Sequence, residues 1–195
     1  MTKNRALAIF LKKPEPGRVK TRLAKDIGET GAVEAYISLY ETVIREASRG
    51  QWNIILFIAH STEGFDAYAY IKEVQSNGDL GHKMLDAFER MLEKYDEALI
   101  IGSDCPYITA THIEEAYQAL ETKDLVLGPT MDGGYYLIGL KKAIPELFEN
   151  INWSTETVFE ETIAVASQLD LTYHLLPELT DIDTINEWEE WVRKA

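Results

Sequence analysis

The sequence predicts an α/β fold, a single-domain three-layer α/β/α sandwich with a mainly parallel sheet. Three observations predict it. Continuous apolar runs of strand length recur along the chain, the pattern of strands covered on both faces. Amphipathic segments at helical spacing alternate with those runs, as crossover helices do in parallel sheets. The 195 residues suit one domain, and no repeat, low-complexity tract or linker divides them, so the expected domain is 1–195.

The elements follow in order. Ala6-Leu7-Ala8-Ile9-Phe10-Leu11 is the first buried strand, and a Pro/Gly/Lys loop from Lys12 to Thr21 follows. Val33, Tyr36, Ile37, Tyr40, Ile44 and Ala47 then mark a helix ending near Gly50. Asn53 to Ala59 is the second strand, and residues 60–81 match no single template. Met84, Leu85, Phe88, Met91 and Leu92 mark another helix, and Ala98-Leu99-Ile100-Ile101 is a third strand. Thr111 and Glu114 read as a capping box for the helix carrying Ile113, Ala116, Tyr117 and Leu120. Leu125–Leu127 and Tyr135–Ile138 are two further strands. Ser154 reads as an N-cap, with Trp153 and Val158 as a hydrophobic staple. A short strand over Leu171–Leu176 and a second capping box, Thr184 with Glu187, precede the terminal helix.

Composition narrows the function classes. Nineteen cations against 33 acids give a net charge of −14, a surface that repels nucleic acid and anionic lipid. No apolar run reaches the roughly 20 residues of a membrane helix. The polar opening Met1–Arg5, followed at once by a strand, does not fit a signal peptide. One cysteine, Cys105, permits neither an internal disulfide nor a zinc–cysteine cluster, and a cytoplasmic, reducing location is expected. Against this acidity, residues 12–22 hold Lys12, Lys13, Arg18, Lys20 and Arg22 beside the single acid Glu15. Such an island is sized for a nucleotide or a sugar phosphate.

In open α/β sheets ligands bind beyond the carboxyl ends of the strands. Three unusual loops lie there: after Leu11, after Ile101 and after Leu127. In the first, Pro14 and Pro16 stiffen the chain and Gly17 lets the backbone approach a ligand. Arg18, Lys20 and Arg22 alternate, so an extended loop would present them on one side to phosphate oxygens. The loop is neither a Walker A motif nor GxGxxG, and a solvated basic surface is its plain alternative. In the second, Gly102-Ser103-Asp104-Cys105-Pro106 places an acid where a hard cation such as Mg²⁺ could be held, or where the acid merely orders the Pro106 bend. Cys105 reads as a small buried thiol rather than a nucleophile. In the third, Asp132 with Gly133 and Gly134 is either a hairpin turn or a ligand approach offering a second carboxylate. Asp79, between Gly78 and Gly81, either contacts ligand or caps the next helix, and Asp181-Ile182-Asp183 reads first as helix capping. Trp153 reads first as core, and His60, His82, His112 and His174 as surface or supporting residues.

These segments, in this order, resemble a bacterial family designated as glycosyltransferases of the arsenosugar-biosynthesis type. The matching pieces are Lys13–Leu23, Gly78–Met84, Gly102–Pro106, Gly128–Leu137, Asn152–Thr155 and Asp181–Thr184. The resemblance implies the GT-A, or nucleotide-diphospho-sugar transferase, fold. It also implies kinship with guanylyltransferases that make molybdenum-cofactor and phospholactate derivatives. Carried over, Pro16, Gly17, Arg18, Lys20, Arg22, Asp79, Gly133 and Gly134 become nucleotide or phosphate contacts. Asp104 and Asp132 become ligands of Mg²⁺ (or Mn²⁺). Two departures stand out: Cys105-Pro106 follows Asp104 where the usual motif has two acids one residue apart, and Lys83 stands where the family often has Arg.

The expected function is therefore a Mg²⁺-dependent glycosyltransferase moving a sugar from a nucleotide-diphosphate donor to a small acceptor, with Asp132 or Asp181 deprotonating the acceptor. A nucleotidyltransferase that joins an NTP to a phosphorylated substrate and releases pyrophosphate is the alternative. A protein that binds nucleotide sugar without turnover is a third reading. The expected partners are a nucleotide sugar or NTP and a small-molecule acceptor, with no nucleic acid and no membrane span.

Overall fold

The computed structural model describes residues 3–194. Met1, Thr2 and Ala195, at the ends of the expected 1–195 domain, lie outside them. The elements are β1 (Arg5–Leu11), α1 (Ala24–Ala47), β2 (Asn53–Ile58), β3 (Ile71–Val74), α2 (Leu80–Leu92), β4 (Glu97–Ile101), α3 (Ala110–Leu120), β5 (Leu125–Pro129), β6 (Tyr135–Leu140), α4 (Val158–Gln168), β7 (Tyr173–Leu175) and α5 (Ile185–Lys194), with a 3₁₀ turn over Pro145–Leu147. Seven strands form one sheet in the order β3-β2-β1-β4-β6-β5-β7. All neighbours are parallel except that β6 runs antiparallel to both β4 and β5. The mainly parallel α/β sandwich is thus the observed architecture.

The apolar runs explain the layers. Alternate residues of β1 point to opposite faces: Leu7, Ile9 and Leu11 into one core with Tyr36, Val43, Ile113 and Tyr117, and Ala6 and Ala8 into the other with Met84, Phe88 and Met91. Helices α1 and α3 therefore cover one face, and α2 and α4 the other. At about 25 cal/mol per Å² this two-sided burial is the main stabilising term. At the amino ends of the strands, Glu97 is buried and paired with Lys3 and Arg5, and Arg5 also lies over the Tyr117 ring. That end of the sheet is closed by structural ion pairs. The carboxyl ends are left for the site.

Several local expectations change. The first helix starts at Ala24, nine residues before Val33, and is broken at Gly28, whose left-handed backbone (φ 76°) only glycine adopts readily. Residues 60–81 contain an edge strand, β3, too short and too exposed to carry an alternation signal. The last strand is trimmed to Tyr173–Leu175. Thr109, not Thr111, caps α3: its hydroxyl accepts from the His112 amide, and His112 reaches back to the Thr109 amide. Ser154 caps nothing, because α4 opens only at Val158, and Ser154 sits in a turn at φ 65°. The Glu161 carboxylate instead ties that turn down by accepting from the Asn152 amide and the Thr157 hydroxyl. Before α5, Glu187 accepts from the Asp183 and Thr184 amides, so the Asp183 side chain is released from the capping role.

Candidate active site

Strand β1 pairs with β2 on one side and β4 on the other, so the connections leave β1 and β4 in opposite directions. A crevice must open there, beyond Leu11 and Ile101. A cleft of about 570 Å³ occupies that place. Its walls include Lys12, Arg18, Lys20, Thr21 and Arg22 from the first loop and Gly102, Ser103 and Asp104 from the second. Gln75 and Lys83 lie to one side, and Ser154 and Asp183 complete the rim.

The first loop is fixed from within. Tyr36 of α1 places its buried hydroxyl to accept from the Lys12 amide at 2.8 Å, 3.1 Å from Ser103 Oγ. Burial, reinforced by the Asp104 charge, pushes the Tyr36 phenol well above its ordinary value, so it stays neutral. The loop then turns at Gly17 (φ 73°) and passes through Lys20, a non-glycine residue at φ 47°. Such a conformation persists only where surrounding contacts hold it. Here the contacts are ionic: Lys20 Nζ lies 2.7 Å from Asp104 Oδ1 and donates to Asp183 Oδ1 at 2.9 Å. The Lys20 side chain is only 2% exposed. Burial works hardest on it and lowers its pKa, but Asp104 and Asp183 together outweigh that and the net direction is upward. Arg22 Nη1 reaches Asp183 Oδ2 at 3.7 Å from a largely exposed position.

The carboxyl-terminal acids arrive here along a backbone rail. Leu179 bridges to Thr130, its amide donates to Pro129 O, and the Ile182 amide donates to Asp104 O at 3.0 Å. Asp181 is half-buried on this rail, and its Oδ1 is buried with no hydrogen-bond partner. Burial first, then the charges of Asp104 and Asp132, raise its pKa to about 7, with Lys20 opposing. Four aspartates from three segments therefore share one electrostatic neighbourhood.

The expected site residues separate as follows. Arg18, Lys20, Arg22 and Asp104 line the cleft. Arg18 is exposed and paired with Glu15 at 3.3 Å. Pro16 and Gly17 shape the turn that precedes it without lining the cleft. Asp79 caps α2 through the His82 amide and touches the His82 ring, both at 2.9 Å, and the amide bond leads in lowering its pKa. Asp132 is held by the Thr130 hydroxyl at 2.6 Å and the Gly134 amide at 3.2 Å, in the β5–β6 hairpin turn. Gly133 is filled from outside: a Cβ there would lie 1.9 Å from Glu156 O, so protein, not ligand, occupies the space its missing side chain leaves. Gly134 lies beside it, also off the cleft wall. Cys105 is buried and its thiol is pushed up by that burial. Trp153 stacks on Phe148 and packs against Gly81, which fixes the start of α2 beside the cleft.

Tyr36 and Asp183 were not legible as site residues. Tyr36 carries the helical periodicity of a core residue, and Asp183 stands where a cap is expected.

The donor set suits a hard divalent cation. All the acids are carboxylates, and Asp104 Oδ1 and Asp181 Oδ1 are buried without an aligned hydrogen-bond donor. Among the described residues no group of three or more His, Cys, Asp or Glu side chains forms a ready-made metal cage. A cation taking one or two carboxylates and completing its shell with phosphate and water needs no such cage. Also among the described residues, no helix is long and apolar enough to cross a membrane.

The chain is similar to several solved structures. A "putative nucleotide-diphospho-sugar transferase" from Desulfovibrio desulfuricans G20 superposes with a TM-score of 0.93 at 28% identity, over 99% of this chain and 88% of that one. The inositol-1-phosphate CTP transferase from T. maritima superposes at 0.66 and 11% identity, over 99% and 95% of the two chains. Rv0371C from Mycobacterium tuberculosis H37Rv, solved in complex with manganese, superposes at 0.60 and 11% identity, over 100% of each. The last two likenesses establish the fold. No curated protein matches the chain significantly. Residues 43–155, more than half of the chain and including Asp104 and Asp132, match the family model described as "Uncharacterized protein conserved in bacteria (DUF2064)", and the chain belongs to that family.

Proposed function

We propose that the protein is a metal-dependent transferase acting on a nucleotide-activated sugar, with the cleft between β1 and β4 as its active site. One observation carries the reading: the cations of the first loop and the aspartates that follow β4 and precede α5 meet in that cleft, at Lys20, Arg22, Asp104 and Asp183. A site that places positive charge against clustered carboxylate oxygens suits a diphosphate bridged to a divalent cation.

In this reading Arg18, Lys20 and Arg22 bind the phosphates, and each charge-assisted contact contributes about 1.5–3 kcal/mol. Asp104, with Asp183 or Asp181, holds Mg²⁺ or Mn²⁺, which when bound supplies Lewis-acid charge at the phosphate oxygens. Tyr36 keeps the first loop in register with Ser103 and so fixes the distance between cations and carboxylates. Asp181, whose carboxyl is pushed up to about 7 by burial and by the neighbouring charges, is our candidate for the group that accepts the acceptor's proton, with Asp132 as the alternative.

Glycosyl transfer is the leading form. The likeness to the Desulfovibrio protein and the six matching segments support it, and the arsenosugar-biosynthesis type is its narrowest version. Nucleotidyl transfer is the second form, supported by the likeness to the inositol-1-phosphate CTP transferase. Both use the same groups and differ in what leaves. The test is product analysis with Mg²⁺ across a panel of nucleotide sugars with small acceptors, and of NTPs with sugar phosphates. Released nucleoside diphosphate identifies glycosyl transfer, and released pyrophosphate identifies nucleotidyl transfer. Nucleotide binding with neither product would mean a binding protein, and no binding at all would end the proposal.

A further inference from the structure

We propose that Lys20 and a divalent cation are alternative counter-ions for Asp104 and Asp183, and that nucleotide phosphate moves Lys20 from the carboxylates to itself and so opens the metal site. This rests on the nucleotide-transferase reading above. The Lys20 ammonium stands 2.7 Å from Asp104 and 2.9 Å from Asp183, two carboxylates brought together from loops 79 residues apart. Both oxygens face one nitrogen, so modest side-chain rotation brings them onto one small cation in its place. An ammonium and a divalent ion cannot share that position, because they repel strongly in a partly buried site. The Lys20 side chain is buried and its backbone is left-handed, so the ion pairs hold it there against both desolvation and strain.

The structure also supplies the place Lys20 would go. Its loop lines the same cleft as Arg18 and Arg22, and those two are exposed. A lysine carries its charge on a flexible four-carbon stem, so a phosphate arriving between Arg18 and Arg22 needs only a side-chain swing to recruit it. Removing the ammonium leaves Asp104 and Asp183 uncompensated beside Asp181, which a divalent cation then neutralises. Metal and nucleotide therefore bind with positive coupling, and the coupling is reciprocal. Arg22, 3.7 Å from Asp183, is too distant and too exposed to replace Lys20 as counter-ion.

The test is a Mn²⁺ titration of the full chain followed by the electron paramagnetic resonance signal of free Mn²⁺. The arms are the wild type alone, the wild type with saturating nucleoside diphosphate (corrected for Mn²⁺ bound to the nucleotide itself), and Lys20→Met alone. Binding that survives in Asp104→Asn is subtracted as surface binding to an acidic protein. The wild type alone should bind Mn²⁺ at least tenfold more weakly than either other arm. Equal Mn²⁺ affinity in the wild type and Lys20→Met overturns the proposal, as does wild-type affinity left unchanged by a nucleoside diphosphate that itself binds. If Lys20→Met does not fold, the two wild-type arms decide alone. Failure of the transferase reading looks different: no nucleoside diphosphate binds, while Lys20→Met still takes up Mn²⁺ more tightly than the wild type.

Discussion

The Tyr36 hydroxyl stands 3.1 Å from Ser103 Oγ and joins the two loops that form the cleft. The same oxygen accepts from the Lys12 amide at 2.8 Å, so one buried phenol sets the spacing between the cationic loop and the aspartate loop. Tyr36→Phe keeps the ring packing and removes both bonds. Loss of these hydrogen bonds should cost about 1–2 kcal/mol, a fall in Tm of roughly 2–8 °C for a chain of this length. Nucleotide affinity should weaken as well. Unfolding curves and calorimetry check both, and an unaltered Tm would remove Tyr36 from this role.

Asp104→Asn should leave the fold intact and remove a charge from the cleft. Transferase turnover should fall on the order of 10²-fold or more, as for loss of one preorganised charge-stabilising group. Circular dichroism and single-turnover rates separate the two effects. Near-wild-type, metal-dependent turnover in this variant would contradict the placement of Asp104.

Asp181 gives the metal-free protein a pH signature. Its folded pKa of about 7 lies above the unfolded value, chiefly through burial and then through Asp104 and Asp132. The folded state therefore holds this proton more tightly than the unfolded state. The resulting stabilisation is complete below about pH 4 and is lost as pH rises through about 7. Denaturant titrations of the wild type between pH 4 and 8 should show that fall, on the order of 3 kcal/mol from this group. Asp181→Asn should flatten it and be more stable than the wild type at pH 8. A wild type and variant with parallel profiles would show that Asp181 does not titrate in that window.

Gly133→Ala tests the hairpin independently of chemistry. The backbone there is left-handed (φ 85°), and the new Cβ would lie 1.9 Å from Glu156 O. Strain and collision should together cost at least about 2 kcal/mol. Thermal unfolding reads the loss directly, and a variant as stable as the wild type would show that the 153–157 segment yields easily.

The fold was legible because a parallel sheet writes itself as uninterrupted apolar runs, and Ala6–Leu11, Ile54–Ile58 and Ala98–Ile101 all became central strands. Strand β3 was not, since Ile71 and Val74 are exposed and only four residues pair. Residue chemistry pointed to Lys20, Arg22 and Asp104 because cations and acids flanked strand ends. Asp183 was hidden by its position: an acid just before a helix reads as a cap even beside Thr184 and Glu187, whereas in the structure Glu187 accepts from the Asp183 and Thr184 amides and the Asp183 carboxylate faces Lys20. Cap assignments failed at Thr111 and Ser154 for a related reason. Several hydroxyls cluster near each helix start, and the local backbone decides which is in reach: Thr109 caps α3, and no side chain caps α4.

The most direct test is co-crystallisation with a nucleoside diphosphate and Mn²⁺, with anomalous scattering recorded at the manganese edge. The expected result is a manganese peak in the cleft bound by Asp104 and one neighbouring aspartate, with the diphosphate against Lys20 and Arg22. A nucleotide seated elsewhere on the molecule, or a cleft that takes up manganese with no phosphate beside it, would show that the cleft is not the nucleotide–metal site.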